Sequence, residues 1–300
     1  MPLLKFSRRR TAAPSPRSAA SIPPIPPGLE PRPRLAEVPY LLPKDAQERK
    51  RLDLQHYLLY RATGNHLIAP LVPETTRTIL DVGTGTGIWC AEMAKLFVGA
   101  QIVGVDVSLS SLPHPLPGGC LFCQANILQG LPFPDRQFDF THQRLLVAAI
   151  PAAQWPAVVR ELVRVTRPGG WIELLEIGDT IHNAGPATNR LLTWMTDISK
   201  TLGFDVEVLH HLGDLLIEAG GQQVEVQDIP VPLGKWAGAV GQMLKIDVLH
   251  GYRALQDIYC PRAQTPPEVF EAMVQAAADE WEERRASYVF HAAYGRRGAP

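Results

Sequence analysis

Through the middle of the chain, short apolar runs alternate with longer stretches whose apolar positions recur every three or four residues. Thr78–Val82, Gln101–Val105, Cys120–Ala125, Phe138–His142 and Trp171–Glu176 follow the first pattern and read as strands. Ile88–Phe97 and Trp155–Val165 follow the second and read as helices. Such alternation predicts an α/β fold, a doubly wound, mostly parallel sheet with helices on both faces. Upstream, Asp45–Pro70 is helical in pattern, with Leu52, Leu54, Leu58 and Leu59 interleaved among Glu48, Arg49, Arg51 and Gln55. Beyond Ile177 the rhythm changes. Asn189–Leu202, Val208–Ala219, Trp236–Leu255 and Pro267–Arg285 read as helices, and Gln223–Val231 and Tyr288–Tyr294 as late strands. The helices around 189–215 and 236–285 exceed what a minimal doubly wound sheet needs and are assigned to a lid or cap.

The first 44 residues differ in composition. Eleven of the 28 prolines precede Lys44, Arg8–Arg10 form a basic cluster, and the first acidic residue is Glu30. Such a segment buries too little apolar surface to offset its ordering entropy and is expected to be a disordered Pro-rich arm. Elsewhere the chain is ordinary: 46% hydrophobic, 20% charged, net charge −1. No global field draws it to nucleic acid or an anionic membrane, and no apolar run approaches the roughly 20 residues of a membrane span. Cys90, Cys120, Cys123 and Cys260 are too few for a disulfide framework and fit a reducing, cytoplasmic setting. Cys120 and Cys123 lack a second ligand pair, so no metal site is expected.

The densest chemistry follows the first strand, in Asp81-Val82-Gly83-Thr84-Gly85-Thr86-Gly87-Ile88. A strand feeding a turn with Gly at every second position, and a helix behind it, is a cradle for a nucleotide-like ligand. Asp106 at the tip of the second strand lies about 20 residues on and suits both hydroxyls of a ribose. Asn126 and Ile127, after the third strand, could offer an adenine edge a donor, an acceptor and an apolar neighbour, although Asn126 also suits a turn. Phe138-Asp139-Phe140 leads to His142-Gln143-Arg144, and Arg167-Pro168-Gly169-Gly170-Trp171 reads as a tight turn into the fifth strand.

Together these elements resemble class I S-adenosylmethionine (SAM) methyltransferases over residues 77–176. Tyr40–Asp45, Glu48, Arg51–His56, the Gly83–Trp89 turn, Pro232–Trp236 and Tyr294–Arg297 are similar to the LaeA-like subgroup and extend the likeness to about 40–297. The resemblance implies a Rossmann-like methyltransferase sheet of seven strands, closed by a late antiparallel pair, with helical cap insertions. It implies four regions: the arm (1–44), an N-terminal helical segment (45–76), the SAM-binding core (77–180) and a C-terminal half that completes the sheet and caps the substrate site (181–300). It also implies SAM as cofactor, contacted by Asp81, Gly83, Thr84, Gly85, Gly87, Asp106, Val107, Asn126, Ile127 and Gln143.

A sulfonium methyl is already electrophilic, so alignment and exclusion of water matter more than a catalytic triad. A general base would favour histidine. Of His56, His142, His182, His210 and His211, His142 is the expected base because it follows the fourth strand at the ligand-binding edge. Trp194, Met195, Trp236, Met243 and Trp281 could shape an acceptor pocket or pack a core. Three readings stay open. The first is methylation of an oxygen or nitrogen of a small molecule such as a specialised metabolite, with neither nucleic acid nor membrane as partner. The second is a LaeA-like regulator acting through protein partners, with the arm as docking segment. The third is a dinucleotide-dependent oxidoreductase. Acceptor and oligomeric state are not legible.

Overall fold

The computed structural model describes residues 40–299; most of the arm lies outside that range. The sheet is built from β1 (Thr78–Val82), β2 (Gln101–Asp106), β3 (Cys120–Gln124), β4 (Phe138–Arg144), β5 (Thr166–His182), β6 (Gly221–Pro232) and β7 (Ser287–Arg297). Their order is β3-β2-β1-β4-β5-β7-β6. The first five strands run parallel, and β7 is antiparallel to both its neighbours. The direction of winding reverses between β1 and β4, which opens a crevice at their carboxyl ends, where doubly wound folds bind ligands.

The helices are α1 (Ala46–Thr63), α2 (Ile88–Leu96), α3 (Trp155–Val165), α4 (Pro186–Thr201), α5 (Leu212–Glu218), α6 (Gly238–Arg262) and α7 (Pro267–Glu283). Alternate strand residues bury on opposite faces. Ile79, Ile102 and Phe140 meet Trp89, Cys90 and Met93 of α2, while Leu80, Val103, Val105 and Phe138 meet α3 and α5. A separate apolar cluster joins Leu58 and Leu59 of α1 to α4, α6 and α7 through Leu191, Leu244, Phe270 and Trp281. The C-terminal helices therefore make a cap with its own core, seated on β5, β7 and α1.

Three local expectations differ from the fold. Residues 40–44, expected to belong to the arm, are part of the folded body, since Leu41 is buried and its backbone N–H bonds the Ala148 carbonyl. Residues 167–170 form a bulge inside β5 rather than a reversal, because Thr166 pairs with Phe138 and Trp171 with Phe140. The expected helix at Val208–Ala219 is split into a 3-10 turn (Val206–His211) and α5.

Trp281 is fully buried in the cap core, whereas Trp236 is 39% exposed. Trp281→Ala should cost about 3–5 kcal/mol in urea unfolding, and Trp236→Ala less than about 1 kcal/mol.

Candidate functional site

The glycine turn leaves β1 with Gly83, Gly85 and Gly87 all at positive φ. The backbone N–H groups of Gly83 and Thr84 both donate to the Val105 carbonyl, at 2.8 and 2.9 Å, which ties the turn to β2. Gly85 has φ +54°, and an added Cβ would meet nothing nearer than Leu52 at 3.6 Å, so this position leaves room above the turn. Gly87 differs: its φ is +72°, and a Cβ there would press on Leu112 and Phe122 at 2.9–3.0 Å. It starts α2 and does not line the cleft, so its expected ligand contact is replaced by a packing role.

Above the turn lies a cleft of about 1180 Å³, bordered by Asp81, Gly83, Thr84, Gly85, Asp106, Val107, Asn126 and Ile127. These eight expected residues, from three strand ends, share one site. Asp106 Oδ2 accepts from the Gly85 N–H at 3.0 Å, and Oδ1 accepts from the Ser108 N–H at 3.0 Å and from Lys44 Nζ at 3.3 Å. A carboxylate has about four lone-pair positions. Two vicinal hydroxyls need two of them, so one hydroxyl must displace Lys44. Asn126 plays both roles weighed for it: it borders the cleft, and its Oδ1 accepts from the Leu128 N–H at 3.0 Å.

His142 is not placed to act as a base. Strand β4 runs two residues beyond it, so the ring lies within the sheet, 1% exposed. Its Nδ1 is 2.8 Å from Asp81 Oδ1, and Trp89 stacks on it at 4.0 Å. Burial alone would raise the Asp81 carboxyl, but the His142 contact holds it below the usual carboxylate range. Gln143 turns to the opposite face, bonds Glu176 and does not border the cleft, which corrects the expected cofactor contact. Of the other histidines, His56 is buried on α1, His211 contacts Asp214, and His182 is exposed. Tyr57 and Tyr60, whose place on the entry helix also suggests the cofactor's methionine end, are 47% and 42% exposed and do not border the cleft.

The residue at the end of β4 is Arg144, which borders the cleft. Among the described residues its guanidinium makes one hydrogen bond, from Nη2 to His56 Nδ1 at 2.9 Å. Arginine only donates, so His56 must be neutral there with its hydrogen on Nε2. Burial, with Arg144 beside it, pushes His56 down to about 3. Burial also pulls Arg144 below the ordinary guanidinium range, with Asp81 and Glu173 opposing. A half-buried fork of donors with one partner among the described residues is suited to a carboxylate. Lys44, Tyr40, Glu48 and Arg144 border the cleft without having been singled out as cofactor contacts by the sequence, and Gln55, whose place on the entry helix suggests the methionine end, borders it too. The signal for Arg144 was the period-two spacing from Phe140 through His142.

A second cavity of about 980 Å³ lies between core and cap, and Gln55 and Leu145 border both spaces. Its walls are mostly apolar (Leu41, Ile177, Leu192, Phe204, Leu255), with Tyr252, Tyr259 and Tyr288 among them and Arg51, Asp179 and Asp247 as charged members. Tyr288 donates to the Gly178 carbonyl at 2.9 Å. Met195 borders this cavity, whereas Trp194, Met243 and Trp281 pack the cap core.

Residues 79–170 match a family described as a methyltransferase domain. An N-methyltransferase, sirN of Leptosphaeria maculans, is 31% identical over 209 residues, 68% of this chain and 74% of its own. The secondary metabolism regulator LAE1 of Cochliobolus heterostrophus is 25% identical over 72% of this chain and 75% of its own. A phosphoethanolamine N-methyltransferase 2 of Haemonchus contortus, solved with phosphomonomethylethanolamine and S-adenosylhomocysteine, aligns at a TM-score of 0.50 and 14% identity, over 87% of this chain and 55% of that longer one. The cleft suits SAM: Asp106 can take ribose hydroxyls, and Arg144 has donors to spare for an amino-acid carboxylate.

Two predictions follow from this geometry. The folded His56 value lies below the unfolded 6.5, so only the unfolded chain takes up a proton as pH falls. Stability should therefore drop from about pH 6.5 toward about 3, by on the order of 4 kcal/mol in total. Urea unfolding at stepped pH should show this, with a flatter profile in His56→Gln. Lys44→Met should bind SAM about three- to tenfold more tightly by isothermal titration, because a ribose hydroxyl no longer competes with the ammonium. Weaker binding would make Lys44 a ligand instead.

Proposed function

The chain belongs to the class I SAM-dependent methyltransferases, in their LaeA-like subgroup, and on that premise we propose that it methylates an oxygen or nitrogen of a small molecule held in the second cavity. The observation that carries this reading is the junction at Gln55 and Leu145, where the cofactor cleft meets a largely apolar space beneath the cap. SAM, when bound, supplies a sulfonium methyl that needs only an aligned nucleophile. Asp106 would hold the ribose, Asn126 and Ile127 would flank the adenine, and the Arg144 fork would hold the carboxylate of the amino-acid end. Asp81, braced by His142, supports the turn from below. The cap covers the acceptor and excludes water, which favours transfer over hydrolysis.

Nitrogen as the accepting atom is supported by the likeness to an N-methyltransferase, and specialised metabolism by the likeness to a secondary metabolism regulator. That regulator also supports the second reading, in which the chain acts through protein partners. A cytoplasmic setting is part of the proposal and is supported by four free cysteines. Among the described residues no helix is long and apolar enough to cross a membrane.

Purified protein incubated with methyl-labelled SAM and host metabolite extract should place label in small molecules. Label confined to protein would favour the regulatory reading. Asp106→Ala should weaken SAM binding about 10- to 100-fold while the thermal unfolding profile stays cooperative.

A further inference from the structure

Three buried polar residues share one face of α1: Glu48, Arg51 and Gln55, at 3%, 6% and 7% exposure. Glu48 grips the Arg51 guanidinium through both carboxylate oxygens, with Nη2 at 2.7 Å from Oε1 and Nε at 3.0 Å from Oε2. Arg51 Nη1 donates to Asp247 Oδ1 of α6 at 2.8 Å, and Gln55 Nε2 donates to Asp247 Oδ2 at 2.9 Å. Burial works against the Arg51 charge, but Asp247 and Glu48 overcome it and hold the guanidinium above its ordinary range.

This chain has a fixed polarity. Glu48 can only accept from Arg51, Arg51 can only donate to Asp247, and an Asp247 carboxylate so held can only accept from Gln55. The Gln55 amide therefore commits one of its two N–H groups to Asp247 and has its oxygen left over. Flipping it would set an oxygen against a carboxylate. Glu48 borders the cofactor cleft, Arg51 and Asp247 border the second cavity, and Gln55 borders both. A fixed hydrogen-bond acceptor thus stands where the two spaces meet.

We propose that Gln55 positions the methyl-accepting atom, and that the protein takes small apolar acceptors carrying a hydrogen on that atom: primary or secondary amines, ring N–H groups or hydroxyls. The inference rests on the functional reading above. The acceptor N–H or O–H donates to Gln55 Oε1, which fixes where its lone pair points. The lone pair forms the new bond to the methyl carbon, the carbon–sulfur electron pair stays on sulfur as a thioether, and the methylated cation gives up that hydrogen as a proton to bulk water once it leaves the covered site. Tertiary amines have no hydrogen to offer and are excluded.

The test combines titration with SAM and transfer of a deuterated methyl from SAM into host metabolite extract, read by mass spectrometry. Gln55→Leu should bind SAM within about twofold of wild type and lose about tenfold or more of transfer at saturating SAM. Gln55→Glu separates polarity from packing. As a protonated acid it donates to Asp247 and keeps its carbonyl free, and burial beside Asp247 raises its pKa. Its transfer rate relative to wild type should therefore rise as pH falls. Each methyl added to a labelled product should replace one hydrogen. Loss of SAM binding in Gln55→Leu would assign the residue to the cofactor and overturn the proposal. Unchanged transfer in that variant, a pH-independent Gln55→Glu, or quaternary ammonium products would overturn it too. If wild type binds SAM but labels no small molecule, the functional reading itself fails.

Discussion

The carboxyl edge of the sheet is governed by the cost of burying charge without enough partners. Arg144 ends β4 inside the cleft with one hydrogen bond among the described residues, and that bond goes to a neutral histidine. The guanidinium is half-buried and faces the cleft, and its remaining donors are open to a carboxylate there. Much around it serves to hold it there. Asp81 and Glu173 supply negative potential without touching it, and His56 keeps its own hydrogen on the far side of the ring so that its lone pair faces the arginine.

The same logic explains why α1 belongs to the site rather than to an appendage. Its buried face carries a run of alternating charge that would be ruinous in isolation. The run becomes stable because Asp247 on α6 closes it, which also bolts the cap to the N-terminal helix. Cofactor cleft and second cavity are thus separated by one helix whose polar side chains are immobilised, and Gln55 and Leu145 are where the partition thins. The segment before α1 reinforces this arrangement. Tyr40 and Lys44 border the cleft, while Leu41 and Leu42 border the second cavity.

The sequence was readable wherever a function depends on one element and its immediate turn. The bounds of β1 and α3 fell as their patterns indicated, and the glycine turn, Asp106, Asn126 and Ile127 do share a cleft. It was misleading at β4. His142 was taken as the last strand residue, but two more residues continue the strand, so the ligand-facing position passes to Arg144. It was silent on pairings across great separations. Arg51 and Asp247 lie 196 residues apart, and no local pattern announces that they meet. Proline content also obscured the start of the folded body, because Leu41 packs despite its Pro-rich surroundings.

The central claim is that Arg144 completes its hydrogen bonding on the carboxylate of the cofactor's amino-acid end. Isothermal titration of wild type and Arg144→Met with SAM and with decarboxylated SAM tests it most directly, since both ligands share ribose, adenine and sulfonium. Wild type should bind the decarboxylated ligand about 10- to 100-fold more weakly than SAM, and in Arg144→Met the two affinities should converge to within about twofold. Equal affinities in the wild type, or a difference that survives the substitution, would contradict the account.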